Sequence, residues 1–259
     1  MESYMFYKSV EEILNESNLE LKFSKFKKFY SKFRAGQVEF EENFQPKPLN
    51  LPSYAKICQI LPPKDLPKFK GDKKIPAFLH SILHIEYSAI DIALDDCYRF
   101  VGLPFEYYVD FLEICEDEIR HFSMIEKELL KFGFKYGDFA VHDGLFFALK
   151  NTSHSLAERM AILHKYSEAN GLDANYFILK KIDNGSLKEL LEQILEEEIS
   201  HVKKGNKWFD YANKDLNLDF LDIVLKHYPK FKNYKRELNE VDRIRAGFSQ
   251  DEILKLKNY

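Results

Sequence analysis

The chain has 259 residues, of which 45% are hydrophobic, 31% charged and 15% aromatic, and its formal net charge is −4. The aromatic content argues against a disordered chain, and the small net charge gives no general case for a nucleic-acid or membrane-surface partner. No apolar run is long enough to cross a bilayer. No secretory signal is visible at the N-terminus, and the three cysteines lack CxxC spacing. We therefore expect a cytoplasmic protein with reduced thiols and no membrane partner.

Residues 1–45 predict an N-terminal helical extension. Phe23, Phe26, Tyr30 and Phe33 recur at three- and four-residue spacing, and lysines lie between them, which is typical of an amphipathic helix. Seven of the nine prolines follow between residues 46 and 76. Because interior prolines break helices, residues 46–75 are predicted to form an extended strap.

Residues 76–213 predict four helices. Proline, glycine and capping residues mark their ends, and Ser155 with Glu158 has the spacing of a capping box. A loop and a short helix over residues 144–150 separate the second helix from the third. Residues 214–259 predict a C-terminal helical extension that packs on the bundle. No strand pattern is visible. The fold class expected is all-α, an antiparallel four-helix bundle with additional N- and C-terminal helices. The predicted helices cover residues 76–100, 104–131, 155–182 and 186–212.

Acidic and imidazole side chains interrupt the apolar stripe of all four helices. Burying unpaired carboxylates costs several kcal/mol, and neighbouring carboxylates repel each other. Two divalent cations would balance four carboxylates, and Glu-x-x-His places both side chains on one helix face. The sequence therefore predicts two metal ions, iron first, with manganese and zinc left open. The predicted ligands are Glu86, Glu118, His121, Glu168, Glu198 and His201.

The positions of these residues relative to the turns predict a single layer. Glu86 lies 16 residues before Gly102, and Glu118 lies 16 residues after it. Glu168 lies 16 residues before a turn near Asn184, and Glu198 lies 14 after it. In an antiparallel hairpin, equal counts from the turn mean equal height, at about 1.5 Å per residue. We expect all six side chains at the middle of the bundle.

Other polar residues have two interpretations each. His164 precedes Glu168 by one turn and is either a donor to the metal site or a satisfied core histidine. His142 and Asp143 lie in a loop, where they serve as a lid near the metal or only as turn residues. His80 and His84 point away from Glu86, which favours packing against the strap.

Several segments resemble the DUF455 family of ferritin-like proteins. They are HIEYSAIDIALD, the ExxHF segment EIRHF, YGDFAVHDGLF, EANGLDA and EEISHVKKGNKWF, and the resemblance covers roughly residues 46–212. Ala140-Val141 departs from it, since a proline-containing pair is expected there. The resemblance implies a ferritin-like fold with a di-metal site at the six positions, and no established activity.

The leading hypothesis is an O2-activating oxidoreductase or hydroxylase with a carboxylate-bridged di-iron centre, in which Glu118 and Glu198 are best placed to bridge. One alternative is an iron-binding or ferroxidase protein without an organic substrate, and another is a non-catalytic helical interaction protein. The substrate is left open between a small molecule and tRNA. tRNA is included because ferritin-like proteins include a tRNA-modifying hydroxylase family and the chain has basic stretches near its N-terminus. A homodimer is left open as the assembly state.

Overall fold

The structure, a computed structural model, describes residues 4–182, 185–230 and 237–258. It divides into two compact units, Met1–Lys150 (unit 1) and Asn151–Tyr259 (unit 2). The described residues are mainly helical, which confirms the all-α class. None of the helices in these ranges is long and apolar enough to cross a membrane. The predicted division into extension, strap, bundle and tail stays a prediction.

Unit 1 begins with two helices that carry an aromatic core. Helices α1 (Phe6–Leu14) and α2 (Leu19–Arg34) bury Phe26, Tyr30 and Phe33 as predicted, together with Phe29, which the predicted stripe omitted. The expectation of no strand was wrong in one small respect. Strands β1 (Tyr4–Met5) and β2 (Val38–Glu39) pair in parallel. Two-residue strands are too short to show the alternation that marks a strand in a sequence.

The strap residues of unit 1 form no long helix. They contain three 3-10 turns, Ser53–Lys56, Pro63–Asp65 and Gly71–Lys73. The chain then forms a helical hairpin of α3 (Lys74–Arg99) and α4 (Phe105–Leu130). Gly102 between them has a φ of 77°, a backbone conformation that glycine adopts without a steric penalty. Both helices end within about two residues of the predicted bounds because proline and glycine mark those ends.

Helix α5 (Gly144–Asn151) follows the loop after α4, and the third predicted helix proves to be three consecutive segments. Ser155 caps α6 (Leu156–Arg159) by accepting a hydrogen bond from the Glu158 amide at 3.2 Å. A π-helix over Met160–Glu168 and α7 (Ala169–Leu179) then follow. The predicted third helix is confirmed to Leu179, but its middle is π-helical rather than α-helical, and the predicted stop at Asn184 lies outside the described residues. A π-helix uses i→i+5 hydrogen bonds, which an amphipathic pattern does not distinguish from α-helical ones.

The rest of unit 2 consists of one long helix and a helical tail. Helix α8 (Ser186–Asn213) agrees with its predicted bounds to about one residue. The tail contains α9 (Phe220–His227), α10 (Glu240–Arg245) and α11 (Gln250–Asn258). Buried charged side chains fasten this tail to the helices before it. Lys165 of the π-helix forms an ion pair with Glu252 at 2.6 Å, and its ammonium lies 5.0–5.1 Å from the rings of Phe209, Phe220 and Phe248.

Candidate metal centre

Unit 1 brings three predicted ligands together, which we call the first half-site: Glu86 of α3 with Glu118 and His121 of α4. All three are buried. Each offers a ligand atom, and these atoms lie within 4.8 Å of one another. His121 Nδ1 lies 3.3 Å from Glu86 Oε2 and 3.7 Å from Glu118 Oε2. Donor atoms that share one cation, each at about 2.0–2.2 Å from it, have separations of this size.

Unit 2 holds the other three predicted ligands, which we call the second half-site: Glu168 at the end of the π-helix with Glu198 and His201 of α8. His201 Nδ1 lies 3.5 Å from Glu198 Oε1, and the His201 ring is fully buried. Burial raises the pKa of Glu168, and the Glu198 charge raises it further, whereas His164 and His201 act in the opposite direction. Among the described residues, however, Glu168 and His201 do not belong to a group of three or more ligand atoms that lie within 4.8 Å of one another.

His164 contacts the second half-site directly. Its Nδ1 lies 2.7 Å from Glu168 Oε1, within hydrogen-bonding distance. Gly205 of α8 explains how the two helices come close enough. A Cβ atom at residue 205 would lie 2.4 Å from His164 Cβ and 3.2 Å from the His164 carbonyl carbon. The absence of a side chain at Gly205 therefore allows α8 to pack directly against the π-helix at the residue that holds Glu168.

The loop residues His142 and Asp143 form turn contacts. His142 Nδ1 accepts a hydrogen bond from the Gly144 amide at 3.1 Å, and the Asp143 carbonyl accepts one from the Phe147 amide at 2.9 Å. These bonds fit the turn interpretation of both residues. His84 Nε2 lies 2.9 Å from the His142 carbonyl oxygen, so that nitrogen carries the proton and donates.

The histidines on the other face of α3 pack as the sequence predicts. Tyr54 of the strap meets the His84 ring edge-to-face at 4.7 Å between centroids. His84 Nδ1, the unprotonated nitrogen, lies 2.9 Å from the Tyr136 hydroxyl, which donates to it. His80 Nε2 accepts a hydrogen bond from the Gly137 amide at 2.9 Å. Both imidazoles therefore fasten the loop after α4 to α3.

The residues of both half-sites fit divalent cations by their donor chemistry. Each half-site offers two carboxylates and one imidazole, a mixed set that suits iron or manganese and does not exclude zinc. Glu168 Oε2 is buried and accepts no hydrogen bond from the described part of the chain. A buried carboxylate oxygen in this state is costly unless a cation lies against it.

Two aspartates were missed by the sequence analysis. Asp91 follows Glu86 by five residues, and Asp173 follows Glu168 by five residues. Both are buried and ion-paired, Asp91 with Lys22 at 2.6 Å and Asp173 with Arg243 at 2.7 Å. The repeated spacing, EYSAID and EANGLD, was the signal available in the sequence, and neither partner cation could be found from that spacing alone.

Comparison with known proteins identifies the family of the chain. A sequence model of the family described as "Protein of unknown function (DUF455)" matches residues 15–254. The chain belongs to the DUF455 family. The match extends beyond the predicted residues 46–212 at both ends and includes Lys22 and Arg243. Among relatives of this DUF455 chain is an uncharacterised protein of Haemophilus influenzae, 34% identical over 218 residues, which cover 79% of this chain and 76% of the relative. No solved structure matches.

Proposed function

We propose that this DUF455 protein binds two metal ions, with iron preferred, in a carboxylate centre and uses them to activate O2 for the oxidation of a substrate. The observation that carries the proposal is the occurrence of one ligand set in both units. Each unit supplies one glutamate from its first long helical segment and a Glu-x-x-His pair from its second. In both sets the imidazole is fully buried.

Charge balance supports one divalent cation for each half-site. Two ionised carboxylates and a neutral imidazole carry a charge of −2, and burying that charge without a counter-ion costs several kcal/mol. A divalent ion neutralises it. Together the two half-sites would take two ions, the number that ferritin-like di-iron and di-manganese carboxylate proteins bind with this ligand set.

We further propose that the fold is a ferritin-like four-helix bundle. The register counts in the sequence support this assembly, because they place all six side chains at nearly equal height. In that arrangement Glu86, Glu118, His121, Glu168, Glu198 and His201 would hold the two ions.

The side chains around the ligands have separate tasks. His164 orients Glu168 through the 2.7 Å contact, and such a partner fixes the direction of a ligand carboxylate. Phe122 and Val202, each the residue after a predicted ligand histidine, are fully buried. The π-helix ends at Glu168, and π-helical turns occur frequently at functional sites. When bound, the two ions would supply Lewis-acid and one-electron redox chemistry toward O2.

The first test measures metal content. Protein made in metal-replete cells is expected to contain about two metal ions per chain, as measured by elemental analysis. The Glu118→Gln/Glu198→Gln double variant should contain almost none, because it removes one carboxylate charge from each half-site. The Glu116→Gln/Glu192→Gln double variant is the matched control, since both of its side chains are exposed on the same helices. Equal metal content in both double variants would contradict the proposal.

The second test separates the enzyme from an iron-handling protein. Anaerobic loading with Fe(II) followed by O2 should give an absorption change that is complete at about two Fe(II) per chain. A ferroxidase or storage protein would instead oxidise many Fe(II) per chain, and a storage cage would elute from a sizing column at a mass of many subunits. A tRNA substrate, a homodimer and a cytoplasmic location stay predictions of the sequence.

A further inference from the structure

Unit 1 contains a cavity of about 310 Å³ that plays no part in the metal proposal. We call it the strap pocket, because strap residues form one wall, α3 the floor and the loop after α4 the other wall. Its volume is at the lower end of the range of small-molecule sites. Ala77, Ser81 and His84 of its floor lie roughly 140–180° around α3 from Glu86, at about 100° per residue. The strap pocket therefore opens on the opposite face of α3 from the first half-site.

The strap pocket is held in shape by backbone hydrogen bonds between its two walls. The Val141 amide donates to the Gln59 carbonyl at 2.9 Å, and the Leu61 amide donates to the Val141 carbonyl at 2.8 Å. His80 and His84 fasten the loop wall to α3 through their contacts with residues 136, 137 and 142. A pocket whose walls are already ordered loses little conformational entropy when a ligand enters.

Aromatic rings form much of the lining. The Phe69 ring from the strap meets the Phe139 ring from the loop edge-to-face at 5.0 Å between centroids, and Phe139 meets the His80 ring at 5.3 Å. Pro67 and Phe78 add further apolar surface. Aromatic walls favour a planar ring as the occupant, because offset or edge-to-face contacts add to the simple burial of area.

The strap wall of the pocket is positively charged. His80 Nε2 accepts a hydrogen bond from the Gly137 amide, and His84 Nδ1 accepts one from the Tyr136 hydroxyl, so each ring keeps one unprotonated nitrogen and is neutral. Lys74 lines the pocket. Among the described residues of the lining there is no second lysine and no aspartate, glutamate or arginine. The strap segment over residues 64–74 carries five lysines against two aspartates, a net charge of +3. This field favours the approach of an anion.

We propose that the strap pocket binds a small aromatic anion, with its planar ring against Phe69 and Phe139 and its acidic group against the Lys74 ammonium. The shared chemistry is a carboxylate, sulfonate or phosphate on a flat ring. This site is separate from the metal centre, and it stands whether or not the metal proposal is correct.

The experiment uses two fluorescent probes that differ in charge. Anilinonaphthalene sulfonate carries an acidic group, and phenylnaphthylamine has the same rings without it. With the full chain, the sulfonate is expected to bind at one site per chain by calorimetry. Lys74→Gln should weaken the sulfonate about two- to fivefold, as for an exposed ion pair, and should leave the affinity for phenylnaphthylamine unchanged. Lys73→Gln, which removes an equal charge one residue away, should leave both affinities within about 1.5-fold.

A pocket-filling variant tests the location. Ser81 is exposed at the pocket floor, so Ser81→Trp should fold and should abolish the binding of both probes. If its circular dichroism shows that it does not fold, Ala77→Leu narrows the same space. Undiminished probe binding in the folded pocket-filling variant would overturn the site, as would no sulfonate binding to the unaltered chain. If Lys73→Gln and Lys74→Gln weaken the binding of the sulfonate equally, the proposed contact with Lys74 is wrong. Metal content should be unchanged in all these variants, which separates this test from that of the metal centre.

Discussion

Unit 1 and unit 2 each hold a buried aspartate five residues after a predicted ligand glutamate, but the cations that pair with these aspartates differ. In unit 1, Lys22 of the N-terminal region reaches Asp91 as a single ammonium. In unit 2, Arg243 of the C-terminal tail binds Asp173 through two nitrogens, at 3.0 and 2.7 Å. A planar guanidinium fixes the direction of its partner, whereas an ammonium acts as a point charge.

The arginine also holds the backbone beside the second half-site. Arg243 donates to the carbonyl of Ala169 at 3.2 Å, immediately after Glu168. The Lys22 ammonium also donates hydrogen bonds to the Leu14 carbonyl and to the Ser53 hydroxyl, and neither residue lies on a ligand helix. The first half-site lies on two uninterrupted 26-residue helices, while the second depends on a π-helix. We infer that the less regular ligand helix needs the more directional support.

The largest effect is expected from Arg243→Met. It leaves the buried Asp173 carboxylate without its cation, which costs about 3–5 kcal/mol. Urea unfolding should show this decrease in the free energy of unfolding, and hydrogen exchange should show that local opening begins in α7. Arg245→Met is the matched control, because Arg245 is exposed and pairs only at the surface with Glu196 and Asp242. If Arg243→Met lowers the free energy of unfolding no more than Arg245→Met does, the role given to Arg243 in this comparison is wrong.

A smaller effect is expected from Lys22→Met, about 2–3 kcal/mol. Burial already raises the pKa of Asp91 above its ordinary value, and without Lys22 its carboxyl can be protonated in the folded state. The Ser53 hydroxyl still donates to it, at 2.6 Å. Because the folded pKa exceeds the unfolded one, the stability that this carboxyl contributes is present at low pH and is lost as pH rises. The variant should therefore recover stability on acidification. Equal loss at pH 5 and pH 8 would contradict this account.

Acid should weaken unit 1 through His80 and His84. Their folded pKa values are about 4, below the ordinary value of about 6.5, so the unfolded chain binds more protons between these limits. The stabilisation is complete above pH 6.5, and we expect a loss of about 1–3 kcal/mol as pH falls toward 4, after allowing for solvent screening. The His80→Gln/His84→Gln variant should show a flatter pH profile. Replacing the exposed His154 by Gln should leave the profile unaltered.

Gly205→Ala is expected to have the smallest effect and to act on unit 2 alone. The added methyl group would overlap His164, and overpacking costs about 1–3 kcal/mol, offset by up to about 1 kcal/mol of helix propensity. Thermal unfolding should therefore show a net loss. Gly171→Ala is the control, since nothing lies within 4 Å of its added atom, and it should be neutral or stabilising.

In unit 1 the residue seven positions after the Glu-x-x-His glutamate is Ile125, fully buried. Unit 1 therefore has a buried side chain at the corresponding position, where unit 2 has none.

Much of the helical layout could be predicted because the chain marks its own helix ends. Pro76, Gly102 and Ser155 fix termini through local backbone preferences, and these act without knowledge of the rest of the fold. The polar interruptions at Glu118 and His121 were equally visible, because buried charges break an otherwise apolar stripe. The π-helix was not predictable, since its hydrogen-bond register leaves no distinct pattern of apolar residues.

The sequence by itself determined the all-α class and the positions of α3, α4 and α8, and it predicted six acidic and imidazole ligands. Local propensity and the cost of burying charge are short-range properties, so residue spacing records them. Tertiary structure alone decided which cation neutralises each buried aspartate, where a helix widens to the π form, and that strap and loop enclose a pocket. Each of these depends on which distant segments pack together, and such packing is set by the shape and charge of the whole fold rather than by neighbours along the chain.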